Sequence, residues 1–396
     1  MKGYEEIPGA SLEWTEELAS WIEGQALNVG FDAASVASVP EHDGESEVRN
    51  AARFKEWIDA GRAGEMEYLK RADDAGRLLR SGVRAAFPWA RSVLVCAWNY
   101  NALAASSTDL VKDAGWIARY AWMGRIAEDG EAVPTDYHDE LVGRLRTIES
   151  AIKERAPGDT RCYVDTGPLV ERAVAAQAGL GWIGKNTCLI HQQLGSWLLL
   201  GVIVTSIPVA AKAHPQLAPD RCGSCTRCLD ACPTQALIAP RQMDASRCIS
   251  YLTIEKKGSI PQELRQPMGR QVFGCDICQE VCPWNRRAPI TMKEGTMVRP
   301  ELVNPPLAWL AGMDNSAFRR NFNGSPLERT RRKRLQRNVA IAMGNSGDAG
   351  FLPQLESWSQ GEDEVLAETA RWAISQIRST AENAAPSSAS AFSQNE

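Results

Sequence analysis

Cys222, Cys225, Cys228 and Cys232, the last followed by Pro233, have the spacing of thiolates that hold iron–sulfur cubanes. In such a run three close thiols cap one face of a cluster, and the fourth, set off by a proline turn, reaches a second cluster. A second run, Cys275, Cys278 and Cys282 before Pro283, lacks its first member because position 272 is Val. Cys248 lies upstream without a motif of its own and fills that vacancy. Exchange of the fourth ligand then gives one 4Fe–4S cluster on Cys222, Cys225, Cys228 and Cys282, and another on Cys232, Cys248, Cys275 and Cys278. A pair of structural zinc sites is the competing chemistry, but zinc has no need of the interleaved Cys-Pro ends. The other thiols, Cys96, Cys162 and Cys188, stand in apolar strand contexts and read as small buried side chains without chemistry.

Clusters pass single electrons and make no bonds themselves, so a long chain around them implies a substrate site elsewhere. Asp165 in Tyr163-Val164-Asp165-Thr166-Gly167-Pro168 stands between a predicted strand and a helix expected from Pro168. Ligands and catalytic groups gather at such strand ends, which makes Asp165 a candidate general acid. A turn or helix-capping aspartate is the simpler reading of the same residue. One Asp-Thr-Gly triplet excludes an aspartic protease, which needs two. No Gly-x-Gly-x-x-Gly follows a strand, so a nicotinamide site of Rossmann type is unsupported. Asp136-Tyr137-His138 is similar to the start of a cobalamin-ligating Asp-x-His-x-x-Gly element, but Leu141 stands where glycine is required, so histidine ligation of cobalt is not expected. The glycines of Gly179 to Thr187 permit close approach of backbone to a flat or phosphate-bearing ligand.

These residues must be positioned by a chain of 396 residues, long enough for about three cores. Apolar residues at 44% and charged ones at 23% are globular composition, and a net charge of −5 gives no global pull toward nucleic acid, so any such contact is local. Eleven cysteines with no export signal in the opening residues point to a reducing, cytoplasmic setting and to metal ligation rather than disulfides. The most apolar run, Trp197 to Val204, falls short of the ~20 residues a membrane span needs and reads as a buried strand.

Residues 11–40 read as a helix and then a strand or turn. Arg53 to Arg80 has helical periodicity interrupted at Gly61 to Gly64. Strands are expected at Ser92 to Ala97, Arg161 to Val164 and Ser196 to Thr205, with helices at His138 to Glu154 and Pro168 to Ala178. This alternation makes residues 1–210 one α/β domain. Residues 211–295 carry the clusters, residues 296–379 are helical with a short repeat, and 380–396, rich in Ala, Ser and Asn, is expected to be disordered. Arg329, Arg331, Arg332, Lys333, Arg334 and Arg337 crowd the start of the helical part, where they face solvent or bind phosphate.

Several segments together resemble the epoxyqueuosine reductase family: Tyr163 to Arg172, Ala178 to Asn186, Cys248 to Glu255, Met268-Gly269 and Cys275 to Trp284. The resemblance spans roughly residues 50 to 350. It implies an α+β multidomain fold: an α/β cobalamin-binding domain of reductive-dehalogenase/nitroreductase type, a ferredoxin-like double-cluster domain and an all-α HEAT-like repeat. It also implies an enzyme that uses cobalamin and two 4Fe–4S clusters to remove the epoxide oxygen of epoxyqueuosine at the wobble position of tRNA.

By the same resemblance Asp165 is the proton donor and His138, a pocket position, the second catalytic residue, for proton handling or substrate contact. Arg71, Tyr120, Asp165, Lys185, Asn186, Thr187, Ser196 and Glu255 are the positions expected against the corrin. The basic run beginning at Arg329 becomes a tRNA contact. One departure is an insertion of about ten residues, Ile126 to Thr135, between Tyr120 and His138. The expected partners are tRNA and an external low-potential electron donor, with a monomeric chain. The alternatives are a corrinoid reductive dehalogenase acting on a small molecule, and a non-catalytic electron carrier.

Overall fold

A computed structural model describes residues 13–40, 44–104, 106–210, 215–290, 293 and 295–384. The opening residues, where no export signal is read, and 385–396 of the expected tail lie outside these. Four strands form the central sheet: β1 (Ala33–Ser38), β2 (Ser92–Asn99), β3 (Thr160–Tyr163) and β4 (Leu198–Thr205), in the order β1-β2-β4-β3. Every β2 residue is buried, so both sheet faces must be covered. Leu94, Cys96 and Trp98 alternate onto one face, against Leu141, Leu145, Ile148 and Ile152 of helix Tyr137–Arg155. That spacing gives the helix one apolar stripe. Val93 and Val95 point the other way, toward Leu169, Val174 and Ala175 beside and within helix Glu171–Gln177. Gly201 lets the first helix lie close, because a Cβ there would stand 2.9 Å from Leu145.

All pairings in this sheet are antiparallel, so alternation of helix and strand along the chain does not produce a parallel α/β sheet here. β2 and β4 pair from Ser92–Thr205 to Asn99–Leu198 although about a hundred residues separate them. Helix and strand contents are mixed, as an α+β chain requires.

Local differences from the sequence reading have local causes. The helix expected over Arg53 to Arg80 is Glu45–Asp59, followed by single turns at Glu67–Lys70 and Leu79–Ser81. Gly61, Gly64 and Gly76 all have positive φ, and the Tyr251 ring sits 2.5 Å from where a Gly64 Cβ would be. The helix expected from Pro168 begins at Glu171, because Asp165 and Val170 hold non-helical backbone ahead of it. The insertion Ile126 to Thr135 completes a hairpin: Met123–Ile126 pairs with Ala132–Pro134 on one side and with Thr296–Val298 on the other.

At the C-terminal end, helices Arg331–Ser346, Leu352–Ser359 and Glu364–Ala384 pack together. Residues 380–384 therefore continue a helix instead of starting the expected disordered tail. Leu335, Val339 and Met343 share one apolar core with Trp116, Trp122, Val272 and Phe273, which ties the helices to the cluster-bearing part of the chain. Among the described residues, no helix is long and apolar enough to cross a membrane.

Candidate active site

Asp165 stands just beyond β3 in the left-handed region, φ 58°, a conformation that Asp tolerates better than most residues. The turn leaves its carboxylate 68% exposed in the mouth of a cavity of about 860 Å³. Tyr137, at the start of the long helix, donates its hydroxyl to Asp165 Oδ2 at 3.0 Å. Burial, and then the charge of Asp165, raise the Tyr137 hydroxyl well above its ordinary value, so it stays a donor. His138 Nε2 lies 4.0 Å from the same carboxylate oxygen. Its Nδ1 is 2.6 Å from Oδ1 of Asp136, which also caps the helix by accepting from the His138 backbone N–H at 3.0 Å. Arg329 reaches in from the C-terminal segment, 2.7 Å from Asp136 Oδ2 and 2.6 Å from His138 Nδ1.

Of the expected corrin contacts, Arg71, Asp165 and Glu255 line this cavity. Tyr120 stands behind the lining, its ring 5.8 Å from that of Tyr137, so the hairpin insertion leaves Tyr120 and His138 within one network. Lys185, Asn186, Thr187 and Ser196 are not among the lining residues and brace the wall instead. Lys185 donates to the carbonyl of Gly223 at 2.7 Å, and Asn186 to that of Cys278 at 3.3 Å. Ser196 Oγ accepts from Asn285 at 2.9 Å, while the Thr187 carbonyl accepts from Arg172 at 2.5 Å. Both cluster loops are thereby fixed against the cavity wall.

Sequence reasoning passes over Tyr68, Arg80, Glu171 and Arg172, which also line the cavity. Glu171 and Arg172 lie inside one of the family-like segments, yet nothing in their types distinguishes a pocket residue from a helix-start charge. Glu171 Oε1 is buried without a partner, and burial raises its carboxyl to about 7. The folded chain therefore holds this proton up to about pH 7, while the unfolded chain releases it near 4.5. Stability falls as pH rises between those values, because the native state binds more protons there. In the cofactor-free protein, Glu171→Gln should remove that slope and gain about 3 kcal/mol at pH 8 but little at pH 4. Urea denaturation at both pH values measures it.

Several of the eight cysteines expected to hold the clusters influence one another's ionisation. Burial, and then Cys282 and Cys222 nearby, push Cys228 up to about 11. Cys282 is raised by burial and then by Cys222, Cys188 and Cys225. In the other set Cys275 is raised by burial and then by Cys248 and Cys232. Cys278 also interacts with Cys275 and Cys248. Thiols raised by burial and by one another resist ionisation until a positively charged core compensates them, which suits cubane clusters. Cys96 is buried in β2, as expected of a small apolar side chain. Cys188 differs from its apolar reading, because its thiol meets that of Cys278 beside the second set.

The basic run divides. Arg331 and Lys333 are exposed, and Lys333 pairs with Asp363 at 3.0 Å. Arg332 is partly buried and bonds Asn315 at 2.7 Å, while Arg334 donates to the Ile254 carbonyl at 2.5 Å. Arg337 cannot meet phosphate as expected, since it is 1% exposed and donates to the carbonyls of Leu252, Lys256 and Gly258. A charge count cannot see this, because the helix turns Arg337 inward while Arg331 and Lys333 face out. Arg337→Met should lower stability by about 3 kcal/mol, since the orphaned carbonyls stay buried. A denaturant midpoint lowered at unchanged slope is the expected sign.

A double-cluster segment braced against a cavity that presents a carboxyl group defines an iron–sulfur oxidoreductase acting on a bound substrate. Residues 221–285 match the model of a 4Fe-4S double cluster binding domain, and residues 80–166 match that of epoxyqueuosine reductase QueG. The epoxyqueuosine reductase of Xanthomonas campestris is 36% identical over 365 residues, 91% of this chain and 96% of that one. The Escherichia coli enzyme is 34% identical, covering 91% of this chain and 89% of its own. A solved epoxyqueuosine reductase with an epoxyqueuosine-modified tRNA stem loop superposes with a TM-score of 0.77 at 31% identity, over 91% of this chain and 90% of that one. The chain belongs to the epoxyqueuosine reductase family.

Proposed function

We propose that this chain reductively deoxygenates epoxyqueuosine to queuosine at the wobble position of tRNA, using two 4Fe–4S clusters and cobalamin. The observation that carries the reading is Asp165, held by Tyr137 at the mouth of a cavity whose wall is bonded to both cluster loops. The cavity suits a large planar ligand with polar edges. Leu198, Leu199 and Leu200 at the start of β4 are only half-buried there, and Arg71, Arg80 and Glu255 give the lining charged groups. Arg71, Glu255 and Glu171 would hold the corrin edge, and Tyr120 would keep Tyr137 in place. When bound, the clusters supply electrons one at a time and cobalamin supplies a low-potential centre able to engage the epoxide carbon. Asp165 protonates the departing oxygen, and the Tyr137 hydroxyl keeps the carboxyl group directed into the cavity.

Residues 1–210 carry cobalamin in a domain of reductive-dehalogenase/nitroreductase type, and 211–295 carry the clusters. In residues 296–379 the three packed helices act as a HEAT-like platform for the anticodon stem, with Arg331, Arg332 and Lys333 against phosphate. The enzyme works as a cytoplasmic monomer fed by an external low-potential donor. The reading is tested by expressing the chain in bacteria that accumulate epoxyqueuosine. Queuosine in their tRNA hydrolysate is expected, and epoxyqueuosine persisting despite soluble, cluster-loaded protein would overturn it.

A further inference from the structure

The two cysteine loops meet solvent differently. Around Cys275 and Cys278 the chain is sheathed: Gly274, Asp276, Ile277 and Gln279 are all buried. Asn186 of the cavity wall donates to the Cys278 carbonyl at 3.3 Å, so this loop faces the substrate side. Around Cys222, Cys225 and Cys228, themselves half-buried, the chain is open, and Arg221, Gly223, Ser224, Thr226 and Arg227 are exposed. An electron that comes from outside and ends in the cavity therefore has its shortest entry at the first loop.

The surroundings of that entry are cationic, although the whole chain carries a net charge of −5. Arg221, Arg227, Arg286 and Arg287 are exposed, and none has a side-chain partner among the described residues. Arg286 and Arg287 leave the turn Pro283–Asn285, whose Trp284 packs with Ala218 and Cys222 around Cys282. Lys185 donates to the Gly223 carbonyl at 2.7 Å and adds its charge beside the loop. The acids there are already engaged: Asp220 pairs with Arg241, and Asp230 accepts from Thr226 at 2.8 Å. Leu217, 70% exposed, precedes Ala218 and gives the same face an apolar contact. Like charges left without counter-ions do nothing for folding, whereas arginine is well suited to an interface.

We propose that this face is the docking surface of an acidic single-electron carrier protein, which reduces the cluster expected on Cys222, Cys225, Cys228 and Cys282. The proposal rests on the reading of the chain as a redox enzyme fed from outside. Each encounter moves one electron, oxidising the carrier by one and reducing the cluster by one, so two encounters serve one two-electron turnover. Opposite charge steers and orients the carrier, while a small contact area lets it leave once oxidised. RNA is the other polyanion that such a face attracts. A carrier is favoured because the arginines ring the open cysteine loop, and none of the four lines the cavity that receives the modified base.

The test is stopped-flow reduction of the full-length, cluster-loaded chain, followed by the loss of visible cluster absorbance, with no tRNA present. Two reductants are compared: a reduced plant-type ferredoxin, which is an acidic one-electron carrier, and reduced methyl viologen, which is a small cation. The ferredoxin rate should fall steeply with added salt. Arg286→Glu with Arg287→Glu, and separately Arg227→Glu, should lower that rate at least tenfold at low salt, with iron content unchanged. Reduction by viologen should be no slower in either variant. A salt-independent ferredoxin rate, or variants that ferredoxin reduces as fast as wild type, would overturn the docking surface. So would a wild-type chain that viologen reduces and ferredoxin does not, or variants slowed equally with both reductants. Variants that keep the ferredoxin rate but lose affinity for a tRNA stem-loop would assign the face to RNA instead. Because no epoxide is present, failure here leaves the deoxygenation reading standing, and failure of that reading leaves these rates unaffected.

Discussion

Asp165→Ala is expected to lower the rate of oxygen removal by about 10²- to 10⁴-fold, the usual contribution of a positioned acid. Cluster content should be unchanged, because Asp165 touches no cysteine and its partners are Tyr137 and His138. The backbone strain at this position makes alanine a mild structural liability, since a left-handed φ suits Ala less well than Asp. Asp165→Asn separates the two effects: it keeps the turn and a hydrogen-bond acceptor for Tyr137 but supplies no acidic proton. Both variants should bind the stem-loop as wild type does and fail at the chemical step, seen as lost kcat at retained affinity. Full activity in Asp165→Asn would remove Asp165 from the role of acid and return it to a turn residue.

The second large effect concerns ligand exchange between the clusters. Cys282→Ala should abolish turnover and lower iron from about eight to about four per chain, the content of one 4Fe–4S cluster. The cluster lost should be the one held by Cys222, Cys225 and Cys228, although some fifty residues separate them from position 282. Cys232→Ala should remove the other, held with Cys248, Cys275 and Cys278. Electron paramagnetic resonance of the reduced variants reads the difference: the magnetic coupling between two reduced clusters disappears, leaving one isolated signal. If Cys282→Ala instead leaves the Cys222 cluster intact, the exchange pattern is wrong.

How much of the fold and of the site is legible in the sequence depends on the kind of signal each residue carries. Cysteine spacing is a local pattern with a chemical meaning, and residues 221–285 that carry it match a 4Fe-4S double cluster binding domain. Strands at Ser92, Arg161 and Ser196 are visible as apolar runs, because both faces of that sheet are covered. Their antiparallel pairing is not legible, since it depends on contacts between segments about a hundred residues apart. Cys188 reads as an apolar filler because its neighbours in sequence are apolar, while its contact with Cys278 is made across the fold. Arg337 belongs to a basic run by sequence and to a buried carbonyl cage by structure. Asp136 and Arg329, separated by 193 residues, meet on His138 only when the C-terminal segment docks, so no local pattern pairs them.

The central claim is tested most directly by anaerobic incubation of cluster-reconstituted protein with a low-potential reductant and tRNA bearing epoxyqueuosine, with and without cobalamin, followed by nucleoside mass spectrometry. The account predicts conversion of epoxyqueuosine to a nucleoside lighter by one oxygen, and only when cobalamin is present. Persistence of the epoxide in protein carrying both clusters and bound cobalamin would contradict it.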